Sequence, residues 1–244
     1  MALNLLDITT NNNDLTNNNG VTEVTTNLPF VQSTSAADFE RDSIQYLSIT
    51  DAAQTGLDFA AATAFTIELW IKVESIGITN RIVNKSAGGG TAGYELQVLS
   101  VNDKVQFSIS DGVANISVTS TNALSTGTWY HLVFRRDTGA ADNIEILRAT
   151  AGGSHSSEGT TADTTTGSLA NAEPFEIGAA NGGNTLDGIT DDVRVWNTAR
   201  SNAQLDANFE VELVGNESGL VAYWPWETEL GAIVTTKSLP FMIY

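Results

Sequence analysis

Phe65-Thr66-Ile67-Glu68-Leu69-Trp70-Ile71-Lys72-Val73 alternates along its whole length. Phe65, Ile67, Leu69, Ile71 and Val73 share one face, and Thr66, Glu68, Trp70 and Lys72 share the other. Successive side chains of an extended chain point to opposite sides, so this two-residue period predicts a half-buried β-strand. Similar runs occupy 44–49, 94–99, 104–109, 116–119, 129–135, 143–148, 174–177 and 189–196. Turn-forming residues separate them: Gly88-Gly89-Gly90, Asn102-Asp103, Ser110-Asp111-Gly112, Asp137-Thr138-Gly139 and Asn181-Gly182-Gly183-Asn184. Many short strands punctuated in this way predict an all-β fold, a sandwich or a closed barrel.

One short helix is expected near 201–210. Ser201 and Gln204 form a capping box, and Leu205 and Phe209 lie four apart on one face. No internal repeat or linker-like shift in composition appears, so one domain is expected over 1–244. Within it, 1–37 reads as an N-terminal strand and turn segment, 38–226 as the core, and 227–244 as a C-terminal strand or tail. Asn11-Asn12-Asn13 and Asn17-Asn18-Asn19 look like the two ends of a turn-rich hairpin. The stretch 150–167 reads as a long loop or ragged hairpin.

Eleven Lys and Arg against 29 Asp and Glu give a net charge of −18. Nucleic-acid affinity comes largely from cations that displace condensed counterions, so this surface excludes nucleic acid as a partner. Anionic membranes are disfavoured for the same reason, whereas divalent cations are attracted. There is no cysteine, which removes disulfides, zinc–thiolate sites and thiol catalysis. No apolar run is long enough to span a membrane, and the N-terminus carries no signal peptide. The expected location is therefore a virion or an extracellular surface reached without that route.

Catalytic signatures are missing. Glu68 stands alone among apolar and aromatic neighbours rather than in a carboxylate pair able to attack and protonate a glycosidic bond. It reads as an outward charge or as a buried carboxylate paired to an arginine. His131 in a strand reads as a satisfied histidine, and His155, in a Ser/Gly stretch, as solvated. No Gly-x-Ser-x-Gly elbow is present, and Gly88-Gly89-Gly90-Thr91 lacks the Lys-Ser/Thr ending of a phosphate loop and reads as a hairpin turn. Trp70, Trp129 and Trp196 fall within strand patterns and read as core. Of Trp224 and Trp226, one is expected to be packed and the other exposed. Trp226 is thus a candidate for stacking a sugar.

Four segments together resemble a known family. Phe65 to Lys72, Thr128-Trp129-Tyr130-His131-Leu132-Val133, Phe175-Glu176-Ile177-Gly178 and Gly188-Ile189-Thr190-Asp191-Asp192-Val193-Arg194-Val195-Trp196-Asn197 are similar, in that order, to strands of laminin-G-like jelly rolls. The resemblance covers roughly 38–226 and implies a two-sheet antiparallel jelly-roll β-sandwich of the concanavalin A-like kind, with binding rather than catalysis. Related jelly-roll glucanases hold a structural calcium on the aspartate of a similar strand. By that likeness Asp191 is the candidate metal ligand and one calcium ion the implied cofactor; the competing reading pairs Asp191 with Arg194 or makes it a turn cap. Pentraxins, which share part of this pattern, carry a carboxylate cluster after Ile-Gly, where this chain has Gly178 to Gly183 without acidic side chains.

Two functional readings follow. The first is a non-enzymatic structural or adhesion module on a particle, most of all a bacteriophage decoration or attachment protein, with partners in an assembly and an oligomer among the possibilities. The 5–16 stretch resembles the opening of such phage-associated proteins. The second is a secreted, calcium-assisted lectin module using loops at one rim, around 87–92, 111–115 and 181–184, with Asn181 and Asn184 as candidate ligand-binding residues.

Overall fold

The computed structural model describes residues 3–139 and 141–227. In chain order the strands are β1 (Thr16–Asn18), β2 (Thr22–Val24), β3 (Ala36–Phe39), β4 (Tyr46–Ile49), β5 (Phe65–Val73), β6 (Asn80–Lys85), β7 (Gly93–Val98) and β8 (Lys104–Ser110). They continue as β9 (Asn115–Ala123), β10 (Tyr130–Asp137), β11 (Asn143–Ala149), β12 (Ser156–Ala162), β13 (Phe175–Ile177), β14 (Gly188–Trp196) and β15 (Leu220–Trp224). Among the described residues the one α-helix, α1 (Asn202–Asn208), precedes β15 and carries the expected Ser201/Gln204 capping box, and a short 3-10 turn spans Arg41–Ser43.

The strands make two antiparallel sheets. One has seven strands in the order β1-β4-β13-β6-β7-β8-β9, and the other runs β12-β11-β10-β5-β14-β3-β2, with β15 also paired to β14. Their inner faces close on one core that includes Phe39, Phe65, Ile67, Leu69, Phe107, Phe134 and Trp224. Phe59 and Phe65 stack with ring centroids 4.0 Å apart, and Tyr94 and Phe107 pack around them. Each such side chain contributes about 1.5–3 kcal/mol by leaving water. The jelly-roll sandwich with one short helix is the observed architecture. Among the described residues, no helix is long and apolar enough to cross a membrane.

The two sheets differ on their outer faces, and this difference positions the site. The outer face of the eight-stranded sheet is covered. Leu205 of α1 packs on Val133 and Leu147, the indole of Trp70 donates to the carbonyl of Phe209 at 2.8 Å, and Leu213 packs on Trp196 and Tyr223. All nine residues of β5 are therefore buried, correcting the half-buried reading of that strand. On the seven-stranded sheet, Glu95, Gln97, Gln106, Ser108, Asn115, Ser117 and Thr119 remain partly or fully exposed between buried apolar neighbours.

Local expectations fare differently. The asparagine-rich N-terminus makes no hairpin with itself: β1 joins β4 in one sheet and β2 joins β3 in the other. What holds the segment is Asp7, whose carboxylate accepts from the amides of Thr9, Asn13 and Tyr223. The 150–167 stretch contains β12, an edge strand paired to β11 across a bulge at Ile146/Leu147. Strands β6 and β15 have no counterpart among the predicted runs. Beyond Glu227, the expected C-terminal strand or tail lies outside the described residues.

Candidate functional site

Strand register sets the site. Ser48, Glu176, Asn84, Glu95, Ser108 and Ser117 are successive cross-strand partners from β4 to β9. Neighbouring strands lie about 4.8 Å apart, so one polar row crosses the sheet. At its exposed end the row opens into a cleft of about 280 Å³. Glu95, Gln106, Ser108, Ser110, Asn115 and Ser117 line it from the sheet, and Ser86, Gly89, Gly90 and Thr91 line it from the β6–β7 loop. That loop is a hairpin turn, as its glycines imply. Gly93 has φ of +142°, and a Cβ there would run into the Lys85 carbonyl, so only glycine lets the loop close against the sheet.

Every lining side chain that bears a heteroatom can hydrogen-bond, and Glu95 is the single ionisable group among them. Arg81 holds one Glu95 oxygen at 2.7 Å. Ser110 donates to the Gly90 carbonyl at 2.7 Å, tying the loop to β8. Asp111, at the β8–β9 turn, accepts from the amides of Val113, Ala114, Thr166 and Gly167, which hold its carboxyl far below the usual range. The turn beside the cleft is thereby fixed.

Asn181 and Asn184 are both exposed at this same rim. They belong to a tight turn in which Ala180 and Gly183 exchange two 2.9 Å backbone hydrogen bonds, and both have φ near +50°. The Asn181 amide reaches the Ser86 carbonyl at 3.4 Å. The loops around 87–92, 111–115 and 181–184 thus converge, but the two asparagines stand beside the cleft rather than in its lining. Trp226 is not available to a sugar: it is fully buried in the main core, and φ of +68° turns it inward beside Trp224. Trp129, expected in the core, is only half-buried, with Lys72 5.1 Å above its ring.

Asp191 is buried, and the ion pair of Arg194 is made with Asp192 instead. A register shift between Asp191 and Arg194 inserts an extra residue, with Asp192 at φ of +55°. Val193 and Val195 consequently enter the core, while Asp191 and Arg194 both face the covered side. Ser33 donates to Asp191 at 2.5 Å, and the Thr34 amide donates to Glu227 at 3.1 Å. Among the described residues, one oxygen of Asp191 and one of Glu227 are buried without a partner. Burial and the mutual repulsion of the two carboxylates raise Asp191 well above its usual range; burial pushes Glu227 up to about 8. Two buried carboxylates with free oxygens are the donor chemistry a hard cation takes, so Asp191 and Glu227 fit a calcium ion. Neither belongs to the acidic group that comes closest together among the described residues, the more exposed Asp38, Glu40 and Glu74.

Comparison with known proteins places this arrangement. Residues 42–206 match the family model described as the concanavalin A-like lectin/glucanases superfamily. The chain belongs to that superfamily. No curated protein matches it. Among solved structures, it is similar to a candidate carbohydrate-binding protein from Bacteroides ovatus (22% identity, TM-score 0.53, 80% of this chain and 52% of that one). It therefore spans about half the length of that protein. It is also similar to domain 4 of the arabinanase AbnA from Geobacillus stearothermophilus, solved with arabinotriose (12% identity, TM-score 0.60, covering 85% and 98%). A third likeness is to full-length tailspike protein 2 of the Escherichia coli O157:H7 bacteriophage CAB120 (11% identity, TM-score 0.62, covering 94% and 31%). These likenesses show the fold.

The superfamily's name joins lectins to glucanases, which makes Glu68 the residue to inspect. It is 1% exposed, accepts from the Trp196 indole at 2.8 Å and lies 3.7 Å from Arg194. This is the buried, arginine-paired alternative, closed off beneath the segment that follows α1. His155, expected in solvent, is buried instead: its ring bridges Asp206 at 2.7 Å and His131 at 2.8 Å. Burial, with His155 alongside, pushes the His131 imidazole well below its usual value. The chain from Asp206 to His131 ties α1 to the sheet. Nothing in the local sequence of His155 signals this, because its partner lies about fifty residues away on the helix.

Proposed function

We propose that this chain is a non-enzymatic glycan-binding module whose site is the cleft on the seven-stranded sheet. One observation carries the reading. Among the described residues, the broad β-face left open presents hydroxyl, amide and carboxylate groups in register, and the β6–β7 loop walls its end. Sugars offer closely spaced donors and acceptors, and such a surface satisfies them without a deep apolar pocket. The carbohydrate-binding description of the Bacteroides ovatus protein and the arabinotriose bound to AbnA domain 4 support the same assignment. A structural calcium held by Asp191 and Glu227 would brace β14 against the N-terminal segment, away from the cleft.

Replacing Ser108 by Tyr fills the cleft floor from an exposed position. Calorimetric titration with an oligosaccharide that binds the wild type should show at least a tenfold loss of affinity in Ser108→Tyr, with an unchanged melting temperature. Undiminished binding by a folded Ser108→Tyr would move the site elsewhere.

Display on a bacteriophage particle is the setting we propose for the module, supported by its likeness to tailspike protein 2 across 94% of the chain. Peptides of this protein should then appear in mass spectra of purified virions, and their absence from intact particles would count against that setting.

A further inference from the structure

We infer that the cleft selects uncharged, hydroxyl-rich glycans and rejects carboxylated or sulfated ones. This inference rests on the glycan-binding reading of the same cleft.

The argument begins with charge. No Lys, Arg or His lines the cleft, whose polar side chains are led by Glu95, Gln106, Ser108, Asn115 and Ser117. An anionic sugar is ordinarily held by a guanidinium or ammonium group. Arg81, which is not in the lining, is already bound to the lining residue Glu95 at 2.7 Å, and the two side chains are only 11% and 19% exposed. Lys104 is on the same face of β8 as Gln106 but is not among the lining residues. A ligand carboxylate or sulfate entering here meets a fixed carboxylate at close range, inside a protein of net charge −18. Salt screens the distant charges over about 8 Å at physiological strength, but the contact with Glu95 lies inside that length.

The remaining groups favour neutral sugars. The Gln106 and Asn115 amides both donate and accept, and the serine hydroxyls do the same, so they can match ring hydroxyls of either polarity. No aromatic ring lines the cleft. The one apolar side chain in the lining is Ile109, itself almost fully buried. Affinity should therefore come from hydrogen bonding rather than from ring stacking.

A glycan array that pairs neutral gluco-, manno-, galacto- and arabino-oligosaccharides with sialylated, sulfated and uronate glycans tests this directly in 150 mM salt. The expected result is binding to neutral members, with anionic members of matched length at least tenfold weaker. Glu95→Gln removes the fixed charge and frees Arg81, so it should gain at least tenfold for the anionic members. Preferential binding of anionic glycans by the wild type, abolished by Ser108→Tyr, would overturn the selectivity while leaving the cleft as a glycan site. No binding to any glycan class would overturn the glycan-binding reading itself. If Glu95→Gln does not fold, competition decides: uronate oligosaccharides should fail to displace a bound neutral one, and equal displacement would refute the inference.

Discussion

Arg194→Met should destabilise the protein by about 3–5 kcal/mol, the cost of removing one partner from a buried ion pair. Arg194 is fully buried on the covered side of the eight-stranded sheet. Its guanidinium binds Asp192, lies 3.7 Å from Glu68, and donates to the carbonyls of Asn208 at 3.0 Å and Val211 at 2.7 Å. It also lies 5.3 Å from the centre of the Tyr223 ring. Asp192 and Glu68 hold the guanidinium charged despite burial. Burial pushes Asp192 up to about 6 even with Arg194 beside it, so without Arg194 the buried Asp192 would lose its ion-pair partner and Glu68 the guanidinium 3.7 Å away. Denaturant unfolding measures the loss. Adding Asp192→Asn to Arg194→Met should recover part of it, because one orphaned charge is then gone. A loss below about 1 kcal/mol would mean that the site collapses around a methionine without needing the network. The two carbonyl contacts also tie the segment after α1 to the sheet, so the variant should weaken amide protection there first.

The second large effect concerns Asp191 and Glu227. Calcium added to chelator-treated protein at one hundred times its dissociation constant should stabilise by about 2.7 kcal/mol. For a chain of this size that is a rise in melting temperature of about 5–11 °C. Asp191→Asn should abolish the rise, because it removes one of the two buried carboxylates with a free oxygen. Magnesium should give less, since it demands a tighter octahedral shell and dehydrates reluctantly. An unchanged melting curve would instead leave Asp191 and Glu227 as a carboxyl pair sharing a proton.

How far the sequence could be read depended on the kind of information each feature needs. The strand run at 65–73 is local and periodic, so both its existence and its inward face are legible. What covers its other face is a tertiary fact: Glu68 and Trp70 are closed over by residues more than a hundred positions later. The double aspartate at 191–192 defeats simple alternation, because a bulge with left-handed Asp192 changes which residues face inward. Trp226 gave no usable signal. It lies past the end of β15, beyond Pro225, and a left-handed backbone turns it into the core. Strand β6 was hidden by polar ends, Asn80-Arg81 and Asn84-Lys85, around a short Ile82-Val83 centre. The cleft was half legible. Val105-Gln106-Phe107-Ser108-Ile109-Ser110 alternates cleanly and shows that a polar face exists. That this face stays uncovered, and that the three turns meet at its end, follows only from the register of the assembled sheet.

The measurement that bears most directly on the central claim is amide chemical-shift mapping during titration with a neutral oligosaccharide selected on the array. The cleft account predicts that the shifts concentrate in 86–95 and 106–117, the floor and wall of the open end of the seven-stranded sheet. Shifts confined to a different depression on the surface, the apolar groove formed by 28–32 with Ala151 and Glu210, would contradict it.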